Sequence, residues 1–273
     1  MRNLFFLVLI TISFNAFSQE TTAGEVSNSN NSNKGSVLII PFEPKMYISD
    51  IDNQIAVKNE MNFQDIKAKF RAALDQNLFI TLKPYFTPLS FYTLNEEEAR
   101  TELSYIYNSI GYKYEVLEIE TEEETKGKKF AKTIPYLIRD KKKENNEEYI
   151  EASVQNGQVV SQVDNREKYM KTILSNDELL PTLNKKYQAE YYIFINELDI
   201  KRGMESQYVN SNKELEGRTI KVHYTIFNNK EEVSSGAIFT LLEGNENDIN
   251  VIIKSQFGII AKKIVSKIIP IEK

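Results

Sequence analysis

The chain has 273 residues, no cysteine, no tryptophan, a single histidine and a net charge of −5. Without cysteine it has no disulfide, thiol nucleophile, cysteine-ligated zinc or lipid-bearing amino-terminal cysteine. Its mildly acidic balance lacks the clustered cations that nucleic acid or anionic lipid requires, so neither is expected as a partner.

The chain opens with Arg2, an apolar run from Leu4 to Phe14 and the small-x-small triplet Ala16-Phe17-Ser18. Residues 1–18 therefore read as a secretory signal peptide cleaved before Gln19. A run of eleven apolar residues spans only about half of a bilayer core, and no later stretch reaches a spanning length. The expectation is export without a transmembrane anchor, to the periplasm of a Gram-negative bacterium or beyond. Residues 19–35 hold nothing apolar larger than one valine and read as a disordered linker. From Ser36 the composition is globular, and about 240 residues suffice for one core.

"VLIIPF" (37–42) is a short buried strand that Pro41 ends. Asn62 caps a first helix carrying Phe63, Ile66, Phe70, Ala73, Leu74 and Leu78 at helical spacing. Asn95 caps a second, with Glu96, Glu97 and Glu98 in its first turn and Gly111 placed to end it. "KYEVLEIE" (113–120) reads as a strand. Like-charged blocks at 118–148 mark an exposed insertion, within which "FAKTIPYLI" offers an apolar patch. Asn156-Gly157 sets a hairpin within 149–163, and a short helix lies near 177–187. Then "AEYYIFINELDI" (189–200), "RTIKVHYTIF" (218–227) and "EVSSGAIFTLL" (232–242) predict an antiparallel meander, the first strand central. A last helix from Asp248 carries the widest aliphatic stripe, Ile249 to Ile268. The fold class is α/β: a single domain over 36–273, its mixed sheet ending in the antiparallel meander and covered by helices.

Catalytic motifs are sparse. His223 lies mid-strand on the face shared with Lys221 and Thr225 and reads as a partly exposed strand residue, not a triad base. One histidine without cysteine does not make a zinc site. The ten glycines are never closer than eight positions, which excludes the glycine-rich phosphate loops. Asp50-x-Asp52 suggests calcium, but an EF-hand loop begun at Asp50 meets Ile55 and Met61 where Gly and Glu are needed. A looser calcium site and ordinary turn aspartates both remain open. If the first strand and the 190–200 strand run parallel, Tyr47, Asp50, Asp52, Asn196 and Glu197 form the best candidate ligand cluster, because open α/β sheets bind ligands at strand carboxyl ends. No metal or cofactor is expected.

The succession of "SVLIIPFE", a helix, "LNKKYQAEYYIFINELDI", "RTIKVHYTIFNNKEEVSSGAIFTL" and a long final helix resembles a domain of the bacterial cell envelope. That domain is shared by the curli-assembly lipoprotein, the lipoprotein activators of penicillin-binding proteins and the amino-terminal part of the Tol translocation protein. There a "VAVLPF"-like strand opens the fold, a "YGADYVLTG"-like segment forms a middle strand and a hairpin follows. Here these correspond to Val37–Phe42, Tyr187–Asn196 and Asn228–Gly236. The resemblance covers most of Ser36 to Lys267 and implies a mixed sheet in a protein that works by contacting other envelope proteins. The chain departs from it in lacking a lipid-bearing cysteine and in the length of 118–163. The expected function is thus a non-enzymatic, protein-binding or scaffold domain of the envelope; the alternative is a carboxylate-dependent hydrolase acting on envelope glycan.

Overall fold

A computed structural model describes residues 34–117, 153–155, 158–160, 166–202 and 217–269. The leader, all but the end of the linker, and the charged block 118–148 lie outside them.

The strands are β1 (Ser36–Ile40), β2 (Tyr47–Ser49), β3 (Thr87–Ser90), β4 (Ile110–Val116), β5 (Ser153–Gln155), β6 (Gln158–Val160), β7 (Lys168–Leu174), β8 (Ala189–Arg202), β9 (Arg218–Asn228) and β10 (Glu232–Leu242). The helices are α1 (Asp52–Asn59), α2 (Phe63–Leu82), α3 (Glu96–Asn108), α4 (Leu179–Tyr187) and α5 (249–265). The main sheet runs β10-β9-β8-β1-β3, and β2 pairs with β8 beyond the end of β1. β1 is parallel to both β3 and β8, while β8, β9 and β10 form the antiparallel meander. The fold is therefore a mixed α/β sheet covered by helices. β5 and β6 pair antiparallel on either side of Asn156-Gly157.

Both predicted caps form: Asn62 Oδ1 accepts from the Asp65 amide at 2.9 Å, and Asn95 Oδ1 from that of Glu98 at 2.9 Å. These bonds satisfy amides that have no partner inside the helix. α3 ends at Asn108, before Gly111, which already belongs to β4; the strand begins earlier than the sequence suggests because Ile110 pairs with Leu174.

One face of the sheet is aliphatic. Val37, Ile39, Ile193, Ile195, Leu198, Ile220, Val222 and Ile226 lie buried against Ile66, Phe70, Leu74 and Leu78 of α2 and the stripe of α5. Within α5 the helix widens to π geometry over Ile253–Phe257. The wider turn carries Phe257, five residues after Ile252, back onto the stripe that continues through Ile260, Ala261, Ile264 and Val265. No helix among the described residues is long and apolar enough to cross a membrane.

The opposite face has two covers. α3 and α4 lie over Leu38, Ile40, Tyr192 and Phe194. Further along β8 and β9 the face turns polar, and the two-stranded β4–β7 sheet lies over it. The chain leaves β1 toward α1 and α2 on the aliphatic face and leaves β3 toward α3 on the other. The carboxyl ends of these adjacent parallel strands therefore form a topological switch point, where α/β sheets open a crevice.

Candidate functional site

The crevice is there. A cleft of about 630 Å³ is floored by Arg71 of α2 and walled by Glu43 and Pro44 after β1, Phe91, Tyr92 and Leu94 after β3, and one side of α3. Its volume is that of a ligand site. Arg71 donates from Nε to the Phe42 carbonyl at 2.6 Å, from Nη1 to Tyr92 Oη at 3.1 Å and from Nη2 to Tyr107 Oη at 2.8 Å. Tyr107 Oη donates in turn to the Pro41 carbonyl at 2.6 Å. One turn along α2, the buried Asp75 accepts from Ser90 Oγ at 2.5 Å, while its other oxygen has no partner among the described residues. Burial raises the Asp75 carboxyl to about 6, against the opposing effects of Ser90 and Arg71.

The five residues proposed from sequence do not converge. β1 and β8 do run parallel, as that reading required. Tyr47, Asp50 and Asp52 share a second, polar cleft of about 360 Å³ with Ser49, Asn53, Phe63 and Lys67. There Tyr47 Oη donates to Asp52 Oδ1 at 2.6 Å, and Asp50 Oδ2 accepts from the Arg202 amide at 3.3 Å. Both aspartates thus serve as acceptors for the chain itself. Asn196 and Glu197 lie on the opposite face of the sheet, Asn196 by the alternation it shares with Tyr192 and Phe194 and Glu197 because a β-bulge intervenes.

The register between β8 and β9 pairs Ile195 with Tyr224 and then Glu197 with His223, leaving Asn196 unpaired. The extra residue turns Asn196 and Glu197 onto the same face. Asn196 is there a clamp on β7: its Nδ2 donates to the Met170 carbonyl at 2.8 Å and to Thr225 Oγ1 at 2.9 Å, and its Oδ1 accepts from Thr172 Oγ1 at 2.7 Å. The free edge of β7 is satisfied by side chains: the Met170 amide donates to His223 Nδ1 at 2.6 Å and the Thr172 amide to Thr225 Oγ1 at 3.0 Å. Lys221 Nζ donates to Glu167 and to the Lys168 carbonyl. Four side chains of the main sheet thereby hold an edge strand that a neighbouring backbone would normally complete.

His223 is accordingly not partly exposed: it retains 1% of its accessible surface, and Glu197 and Asp199 retain 3% each. Its Nε2 stands 3.2 Å from Glu197 Oε1 and 3.5 Å from Asp199 Oδ2, and Tyr114 Oη donates to Glu197 Oε2 at 2.8 Å. Burial raises the Glu197 carboxyl, and the adjacent Asp199 charge adds to it. Burial would raise Asp199 as well, but the His223 proton and the cations of Lys201 and Lys221 outweigh it and hold that carboxyl down. Burial lowers His223.

Donor atoms of Glu197, Asp199 and His223 lie within 4.8 Å of one another, a spacing a metal ion could bridge. The tautomer argues against it. A backbone amide is always a donor, so His223 Nδ1 holds its lone pair toward Met170 and the ring proton sits on Nε2, the atom facing the carboxylates. A metal-bound histidine has the reverse arrangement, donating from its second nitrogen. The trio is a buried charge cluster beneath β7, in which His223 Nε2 and Asp199 Oδ1 make no hydrogen bond among the described residues. Among the described residues no serine joins it, so it lacks the nucleophile of a hydrolytic triad.

With this geometry in view, comparison with known proteins gives no assignment: no protein-family model matches the chain, and no curated protein matches it.

Proposed function

We propose that the chain is an exported, non-catalytic binding domain of the cell envelope whose contact surface is the switch-point cleft. The observation that carries this reading is the separation of proton chemistry from open space. A glycoside hydrolase needs an acid whose pKa is raised, facing substrate beside a second carboxylate. Among the described residues the carboxyls that burial raises, Glu197 and Asp75, line neither cleft. The larger cleft presents instead aromatic and aliphatic side chains around a guanidinium, the surface composition of recognition sites. The signal-like leader and the resemblance to envelope domains that act through protein contacts support the same reading.

The test is a photo-crosslinking side chain placed at Ser104, on the exposed lip of the cleft, in the producing cell. A second probe at Lys263 on α5 serves as control. The proposal expects a discrete protein adduct from Ser104 and none from Lys263, and no release of soluble fragments when the purified chain meets peptidoglycan. Fragment release that Glu197→Gln abolishes would replace this reading with the hydrolase.

A further inference from the structure

Resting on the binding reading, we infer the chemistry of what the cleft receives: an extended segment of a partner polypeptide that places an acidic side chain on Arg71 between apolar neighbours. The first support is the state of the guanidinium. Its bonded partners, one carbonyl and two phenol oxygens, are all neutral, and no carboxylate contacts it among the described residues. The nearby Asp75 is committed to Ser90. A partly buried arginine ordinarily has an anionic partner, and two of its five N–H groups are left over here. Arg100, exposed at the lip, likewise makes no ion pair among the described residues; of the two carboxylates lining the cleft, Glu43 pairs with Lys45 at 2.8 Å and Glu96 lies exposed in the first turn of α3.

The second support is the wall. α3 lends the cleft two parallel rows at helical spacing, an apolar one of Ala99, Leu103 and Tyr107 and a polar one from Glu96 through Arg100 to Asn108. The polar row runs about 18 Å at helical rise, the length of roughly five residues of extended chain. A fatty acid would fill the apolar row and leave the polar row with nothing to bond. A peptide, whose backbone and alternate side chains are polar, answers both. Arg71 lies on the floor between Tyr92 and Tyr107, the last member of the apolar row, where its two remaining N–H groups can meet a carboxylate.

The experiment measures binding of two fluorescent pentapeptide pools to the purified chain lacking residues 1–18: acetyl-X-Leu-Glu-Leu-X-amide and its Gln counterpart. The Glu pool is expected to bind roughly ten- to a hundredfold more tightly, the range for a hydrogen bond to a charged group, and to weaken as salt rises. Arg71→Gln should erase the preference. Because Arg71 also holds Phe42, Ser104→Trp, exposed on the wall and away from those bonds, serves as a second variant; its ring crowds the cleft, and it should lose binding of both pools while keeping its melting transition. Equal affinity for the two pools would overturn the inference, and a Ser104 adduct found alongside would leave the broader binding proposal standing. Decanoate displacing the Glu pool completely, with the polar row irrelevant to affinity in Arg100→Ala, would also overturn it in favour of a small acyl ligand.

Discussion

The two faces of the sheet are sealed by opposite means. On one, α2 and α5 cover aliphatic side chains, and the contact asks only for shape and volume. On the other, beyond α4, β7 is held by Asn196, Lys221, His223 and Thr225, each making a bond that fixes position to a fraction of an ångström. Apolar burial supplies stability in proportion to area, at about 1.5–3 kcal/mol per large side chain, and tolerates some displacement. A buried polar layer adds less net free energy per contact but makes any other arrangement costly, because each unmade bond leaves a dry donor or acceptor. The aliphatic face holds the fold together; the polar face decides where β4–β7 lies.

The largest break in that comparison is truncation before Asp248, which removes the whole stripe of α5. The remainder should aggregate and be digested by protease without a resistant core. Cooperative melting retained by the truncated chain would show that the aliphatic face is not the main source of stability. On the polar face the corresponding change is Asn196→Ala. It strands the Met170 carbonyl and the Thr172 hydroxyl, at about 3 kcal/mol for the network in urea denaturation. It should also expose the Met170 and Thr172 amides to hydrogen exchange well before those of β9. Uniform loss of protection across the sheet would mean that β7 and the core open together.

That asymmetry also explains what could be read in advance. The caps at Asn62 and Asn95, the meander and the stripe of α5 are local patterns, and each formed. α1 has one buried residue, Ile55, and no capping side chain, so neither periodicity nor a start signal marks it. β3 is four residues long and contains Pro88, tolerated because β3 is the edge of the sheet. The polar alternation of Lys221, His223 and Thr225 was visible, but a strand facing water and one facing a polar layer beneath another sheet have the same pattern. The bulge at Asn196 leaves no glycine or proline to signal it, and it moved Glu197 onto the other face, where alternation had already put Asn196. Tyr47, Asp50 and Asp52 stayed together because they belong to one short stretch. The larger cleft draws on three segments, 43–44, 71 and 91–108, each 20 residues or more from the next, and Arg71 sat unremarked between the apolar positions of α2.

Asp75 sharpens the comparison from the other side, as a carboxyl buried among α2's apolar contacts without the partners that the polar face provides. Its folded-state pKa of about 6 lies above the ordinary value of 3.8, so between these the folded chain binds more protons than the unfolded one. Its contribution is therefore complete below about pH 4 and is lost as pH rises through 6, a swing of about 3 kcal/mol at 1.36 kcal/mol per unit. Asp75→Asn keeps the shape and an acceptor for Ser90 but cannot ionise. Relative to the natural chain it should gain stability progressively from pH 4 to 7 by that amount, whatever constant cost the amide adds. Urea titrations of both proteins across that range provide the check. A difference independent of pH would mean that Asp75 ionises as freely folded as unfolded, as it would if water or the Arg71 guanidinium reached its second oxygen. If the guanidinium is what reaches it, Arg71 already has its anion, and the cleft holds no unmatched arginine on its floor for a partner to meet.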